Sequence, residues 1–97
     1  MKTAVKERYD IFLYNSEDDL IKGIHVARIT LEFREGVLIY INVSIDGGNV
    51  LDICCNDYGV FSEEVSECFE VAIYIASYLL NKYSITEVYR TTEEHIR

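Results

Sequence analysis

Ala27-Arg28-Ile29-Thr30-Leu31-Glu32-Phe33, followed by Val37-Leu38-Ile39-Tyr40-Ile41-Asn42-Val43-Ser44-Ile45, is the stretch that decides the fold. Every odd position in both runs is apolar, and in the second every odd position is β-branched. After the Gly47-Gly48 break, Leu51, Ile53 and Cys55 continue the odd rule around Asp52. Successive side chains of a strand point to opposite faces. Three runs of period two therefore predict an antiparallel meander with one apolar face.

The faces also predict the register. A two-residue turn at Gly47-Gly48 would set Asp52 opposite Val43, a carboxylate on the apolar side. A three-residue loop, Gly47-Gly48-Asn49, pairs Ile45 with Leu51 and Val43 with Ile53 instead, and a one-residue slip costs a whole face. The same logic expects a loop at Arg34-Glu35-Gly36 pairing Leu31 with Ile39, with Gly36 and Asn49 left-handed beside a bulge. On the outer face Arg28 then meets Asn42, Thr30 meets Tyr40, Glu32 meets Leu38, and Ser44 meets Asp52. Leu38, Tyr40, Val50 and Cys54 are left as partly exposed apolar groups, a patch that suits a dimer or partner surface unless the N-terminal segment folds over it.

Working outward, Tyr9 to Asn15 reads as a first strand, and Ser16-Glu17-Asp18-Asp19 as a turn or single helical turn capped by Ser16. A long helix is predicted from Ser62 to Tyr83, with Ser62 as N-cap and Glu63 and Glu64 in the first turn, where the helix dipole favours anions. Val65, Cys68, Phe69, Ala72, Ile75, Ala76, Leu79 and Tyr83 recur at helical spacing as its buried stripe. Ile73 and Leu80 flank one side of the stripe and Val71 the other, an arc wide enough for a helix lying in the concave side of the sheet. Ile85 to Arg90 reads as a last strand near the first, and Glu93 to Arg97 as a frayed tail. The expected fold is α+β, with an antiparallel sheet of four or five strands around the central three-stranded meander. One long helix packs on its apolar face, and residues 1–97 form a single compact domain.

Charge is distributed unevenly along this chain. From Glu35 to Asn81 stand eight carboxylates (Glu35, Asp46, Asp52, Asp57, Glu63, Glu64, Glu67 and Glu70) and no Lys or Arg. The whole chain has 17 acids and 9 bases, so the remainder is balanced and this stretch carries the formal charge of −8. A polarised acidic surface repels nucleic acid and anionic membranes and draws in cationic partners. Heavy use of Ile and Tyr, with no Pro, Trp or Gln, suits an AT-rich or mobile-element genome.

Other classes have less support. Met1 to Arg8 carries charges with no apolar run behind them, and no apolar stretch reaches the roughly 18 residues of a membrane span, so a cytoplasmic protein is expected. Cys54, Cys55 and Cys68 have no metal-binding spacing and read as reduced, buried thiols, with a Cys55–Cys68 bridge as the alternative and Cys54 as the better exposed thiol. His25 takes inward parity at a strand start, His95 lies in the tail, and neither accompanies a nucleophile motif. Asp46-Gly47-Gly48-Asn49 lacks both the P-loop lysine and the EF-hand ligand series. No enzyme activity, cofactor or metal is expected.

The predicted helix face opposite the core holds Glu63, Glu67, Glu70, Tyr74, Tyr78 and Asn81. Neighbours three or four apart stand about 5–6 Å apart at Cβ, close to the phosphate spacing of a nucleic-acid strand. The acids repel one another without a nearby lysine, and tyrosines are favoured interface anchors. Glu63, Glu67, Glu70, Tyr74 and Tyr78, with Asp52, Asp57 and Tyr40 from the sheet side, are the candidate partner-binding residues. In size, charge and composition the chain resembles small acidic inhibitors encoded by phages and other mobile elements, anti-CRISPR and DNA-mimic proteins among them. That resemblance implies occlusion of a basic site on a partner protein, a nucleic-acid-handling complex or nuclease, without direct nucleic-acid or membrane binding. The alternatives are an immunity protein or antitoxin neutralising a basic toxin, and a homodimeric assembly subunit using the outer sheet face.

Overall fold

The computed structural model describes residues 3–54 and 63–96. Its elements run β1 (Thr3–Tyr14), α1 (Glu17–Lys22), β2 (Ala27–Arg34), β3 (Val37–Ile45), β4 (Gly48–Cys54), α2 (Glu63–Lys82) and β5 (Ile85–Ile96). The strands form one antiparallel sheet in the order β4-β3-β2-β1-β5. The fold is therefore α+β, with the expected meander, one main helix and a last strand beside the first. None of the described helices is long and apolar enough to cross a membrane.

Both hairpins of the meander solve the face problem differently from the sequence expectation. Their turns are the two-residue pairs Glu35-Gly36 and Asp46-Gly47, all with positive φ (51°, 80°, 51° and 80°), the geometry whose twist matches the flanking strands. A two-residue turn alone would set odd positions against even ones. One extra residue, Ile39 in β3 and Val50 in β4, restores the match: Phe33 faces Leu38 while Leu31 faces Ile41, and Ser44 faces Asn49 while Val43 faces Leu51. The predicted Leu31–Ile39, Ile45–Leu51 and Val43–Ile53 pairs are thus displaced by two residues, although the faces are kept. Leu38 is corrected from the outer face to the core side, where it packs against the buried cluster. On the outer face Arg28 meets Ser44, Thr30 meets Asn42, Glu32 meets Tyr40, and Asp52 meets Asn42.

The core lies between sheet and helix. Leu13, Ala27, Ile29, Ile41 and Val43 from three strands pack with Phe69, Ala72, Ala76 and Leu79 of α2. Each buried aliphatic side chain contributes roughly 1.5–3 kcal/mol of transfer free energy. The helix rests chiefly on β3 and β4 rather than along the middle of the sheet. Its predicted arc is consequently too wide: Val71, Ile73 and Leu80 are exposed, and so is Cys68, a free thiol. The half of that sheet face nearer β1 shows an open apolar groove of 440 Å³ among the described residues, lined by Val5, Tyr9, Ile11, Leu31 and Phe33.

The ends differ from expectation as well. The N-terminal segment does not fold over the outer face. It lengthens β1, which pairs with β5 from Thr3–Ile96 through Tyr14–Ile85, so residues 93–96 are strand and not a frayed tail. α1 follows the prediction: Ser16 Oγ accepts from the Asp19 N–H at 3.2 Å, and Gly23, at φ 72°, closes the helix in the left-handed position. His25 is exposed and lies on the outer face, its ring 5.0 Å from Phe12 and 6.4 Å from Tyr14, not on the inward side. Cys55, Asp57 and Ser62 lie outside the described residues, as do the side chains of Cys54, Glu63, Glu64 and Val65.

Candidate functional site

One turn of α2 after another builds a ridge on the side away from the sheet. Phe69, Ala72, Ala76 and Leu79 face the core, so Glu67, Glu70, Tyr74 and Tyr78 must face outward. Tyr74 is 75 % exposed and Tyr78 57 %. Val71, 56 % exposed, stands between Glu67 and Tyr74 and completes a row at positions 67, 71, 74 and 78. Its four-residue spacing from Glu67 puts Val71 on the acidic row and not at the edge of the buried arc. Among the described residues neither Glu67 nor Glu70 enters an ion pair, and the first base of the helix is Lys82. The ridge therefore offers two uncompensated carboxylates above two tyrosines and a valine.

Tyr40 and Asp52 belong to a different surface. They carry the parity opposite to Ile41, Val43 and Ile53, which face α2, so they project from the far side of the sheet. There the Tyr40 hydroxyl bonds to Asp52, and burial, then that bond, pushes the phenol above its ordinary range. The two residues stand at the rim of a polar basin of 440 Å³ that reaches across to Arg8 and Glu32. Two polar side chains are nearly inaccessible in its floor, Thr30 at 2 % and Asn42 at 5 %. Each is satisfied within the sheet: Thr30 donates to Asp10 Oδ1 at 2.8 Å, and the Asn42 amide donates to the Leu51 carbonyl at 3.1 Å. Arg8 forks onto Asp10 at 3.0 and 3.2 Å and reaches Glu32 at 3.4 Å, while Lys6 stands 3.6 Å from Glu32. Around Tyr40 and Asp52 the outer face is thus a cross-linked polar surface, and its aromatic groups, Phe12, His25 and Tyr89, gather at the β1–β5 side instead.

The candidate residues therefore fall into two groups on opposite sides of the sheet. Glu67, Glu70, Tyr74 and Tyr78 come together, and Glu63 heads the same helix by its backbone. Tyr40 and Asp52 come together elsewhere, and Asp57 lies outside the described residues. No protein-family model matches the chain, and comparison with curated proteins and solved structures finds none that is similar.

Proposed function

We propose that this chain is a non-enzymatic binding protein that covers a basic surface on a partner protein with the outward row of α2. The observation that carries the reading is the exposed grouping of Glu67, Glu70, Tyr74 and Tyr78 with no base before Lys82. Carboxylates three residues apart suit a surface built to hold successive phosphates, and the partner class is a nucleic-acid-handling protein. Occlusion follows from position: the acids steer the encounter, and the tyrosines provide desolvated contact area. This is the mode expected of a small anti-defence inhibitor, which the acidic composition favours. The separation of Tyr40 and Asp52 from the ridge confines the proposed contact to α2.

A pull-down from host lysate at low and high salt, read by mass spectrometry, tests the class of partner. A nucleic-acid-binding protein retained at low salt and weakened at high salt supports the reading. The same partner captured equally by the Glu67→Lys/Glu70→Lys variant at low salt rules out the ridge.

A further inference from the structure

We infer that the chain forms a two-fold dimer in which the β5 edges of two copies pair antiparallel about Thr92, joining two five-stranded sheets into one of ten strands. This does not depend on the acidic ridge being a partner site.

The two edges of the sheet are unlike. β4 is interrupted by the bulge at Val50, a feature that blunts an edge against further pairing. β5 has no such interruption. It runs twelve residues, against about 5–6 for an ordinary strand, and pairs with β1 without a register shift. The chain has no proline that could interrupt it. From Val88 to Glu93 every residue is exposed, although these positions alternate between the two faces. An edge strand this long, regular and uncovered is a template for another strand. The molecule is correspondingly elongated, 48 × 30 × 20 Å with a radius of gyration of 14.9 Å, where a globule of this length has about 13 Å.

The sequence of β5 argues for a second copy as the occupant. Read outward from Thr92, it is self-complementary. A two-fold axis through that residue, perpendicular to the sheet, sets Thr91 opposite Glu93 and Arg90 opposite Glu94. It also sets Tyr89 opposite His95 and Val88 opposite Ile96. Three of these four pairings are thus matched, one of opposite charge, one aromatic and one β-branched. Neighbouring registers lose this: centred on Arg90, arginine meets arginine and Glu87 meets Glu93, while centred on Thr91, Val88 meets Glu94. An axis perpendicular to the sheet keeps both α2 helices on one side. Each remains over its own β3 and β4, so the acidic ridges stay free at the two ends of the joined sheet.

Light scattering across a concentration series, with oxidative cross-linking of a Thr92→Cys variant, tests the pairing. With Cys54, Cys55 and Cys68 replaced by serine, the expected result is a concentration-dependent dimer, a covalent dimer on adding Thr92→Cys and none without it under the same oxidant. Arg90→Glu alone and Glu94→Arg alone should each weaken the dimer by roughly tenfold or more, by setting like charges opposite. The double variant Arg90→Glu/Glu94→Arg should recover most of the loss. Because that recovery requires a folded chain, it separates a broken interface from a broken fold. A monomer at the highest soluble concentration overturns the inference. So does a dimer that neither cross-links through position 92 nor responds to the charge exchange, since its interface then lies elsewhere.

Discussion

Thr30 and Asp10 stand directly opposite each other across β1 and β2, and the Thr30 hydroxyl donates to Asp10 Oδ1 at 2.8 Å on the face away from the helix. Burial works against ionisation of that carboxyl. The hydrogen bonds from Arg8 and Thr30, with the charges of Arg8 and Arg28, outweigh it and hold Asp10 below its ordinary value. A carboxyl lowered in the folded state stabilises the fold above its unfolded pKa of about 3.9, and that contribution is lost as pH falls through the folded value. Asp10→Asn should therefore cost roughly 1.5–3 kcal/mol at pH 7, the range for hydrogen bonds to a charged group. The gap between parent and variant should narrow in acid. Urea unfolding at pH 7 and pH 3 measures both gaps, and gaps of equal size would remove the charge from the explanation.

The two turns carry a prediction of the opposite sign. Glu35 holds φ 51° as the first residue of a turn that favours Asn-Gly. Asn tolerates the left-handed region better than Glu does, so Glu35→Asn should stabilise the protein by a few tenths to about 1 kcal/mol. Gly36→Ala should do the reverse, by about 1–2 kcal/mol. No atom lies within 4 Å of the added methyl, so that cost is backbone strain alone. Thermal melts of the two variants against the parent decide it; a neutral Gly36→Ala would mean the turn relaxes out of the left-handed region.

The one-sided seating of α2 sorts its apolar residues and those of the sheet. Ile41 is completely buried against the helix, and Ile41→Ala should cost roughly 2–5 kcal/mol. Val71→Ser, on the outward row, should change stability by no more than about 0.5 kcal/mol. Chemical denaturation of both variants checks the seating, because a helix centred over the sheet as its apolar arc suggested would make Val71 costly too.

The alternation of residues 27–45, continued at Leu51 and Ile53, made the meander and its faces legible, while the strand count stayed at four or five. It could not reveal how each turn is made, because a three-residue loop and a two-residue turn with one bulged residue both keep odd positions together. The structure takes the second, and Leu38 changes face as a result. The apolar arc of α2 was legible but not its seating: Val71, Ile73, Leu80 and Cys68 have helical spacing appropriate to a core that the sheet does not extend over them. Residues 93–96 were missed as strand because a cluster of charges resembles a tail, whereas backbone pairing along β1 makes no demand on an apolar pattern. The grouping of the acids on α2 followed from periodicity alone. The placement of Asp52 and Tyr40 on the face away from the helix was legible in the same alternation as the meander, and the structure keeps it.

The ridge on α2 makes a kinetic prediction in which its two kinds of residue act differently. Glu67 and Glu70 are exposed and stand without ion-pair partners among the described residues, so their field reaches a cationic partner before contact. Charge reversal at both should slow association, by about tenfold or more at low salt, and the loss should shrink as salt rises. Tyr74 and Tyr78 have no comparable long-range effect. Their truncation to alanine should leave the association rate within about threefold and raise the dissociation rate by roughly tenfold or more, as loss of a packed aromatic anchor does. Neither pair contributes to the buried cluster, so melting temperatures should move little. Once a partner is captured, surface plasmon resonance at two salt concentrations separates the rates. Tyrosine variants that slow association as much as the glutamate variants do would mean that the helix is remodelled on binding, not docked as it stands.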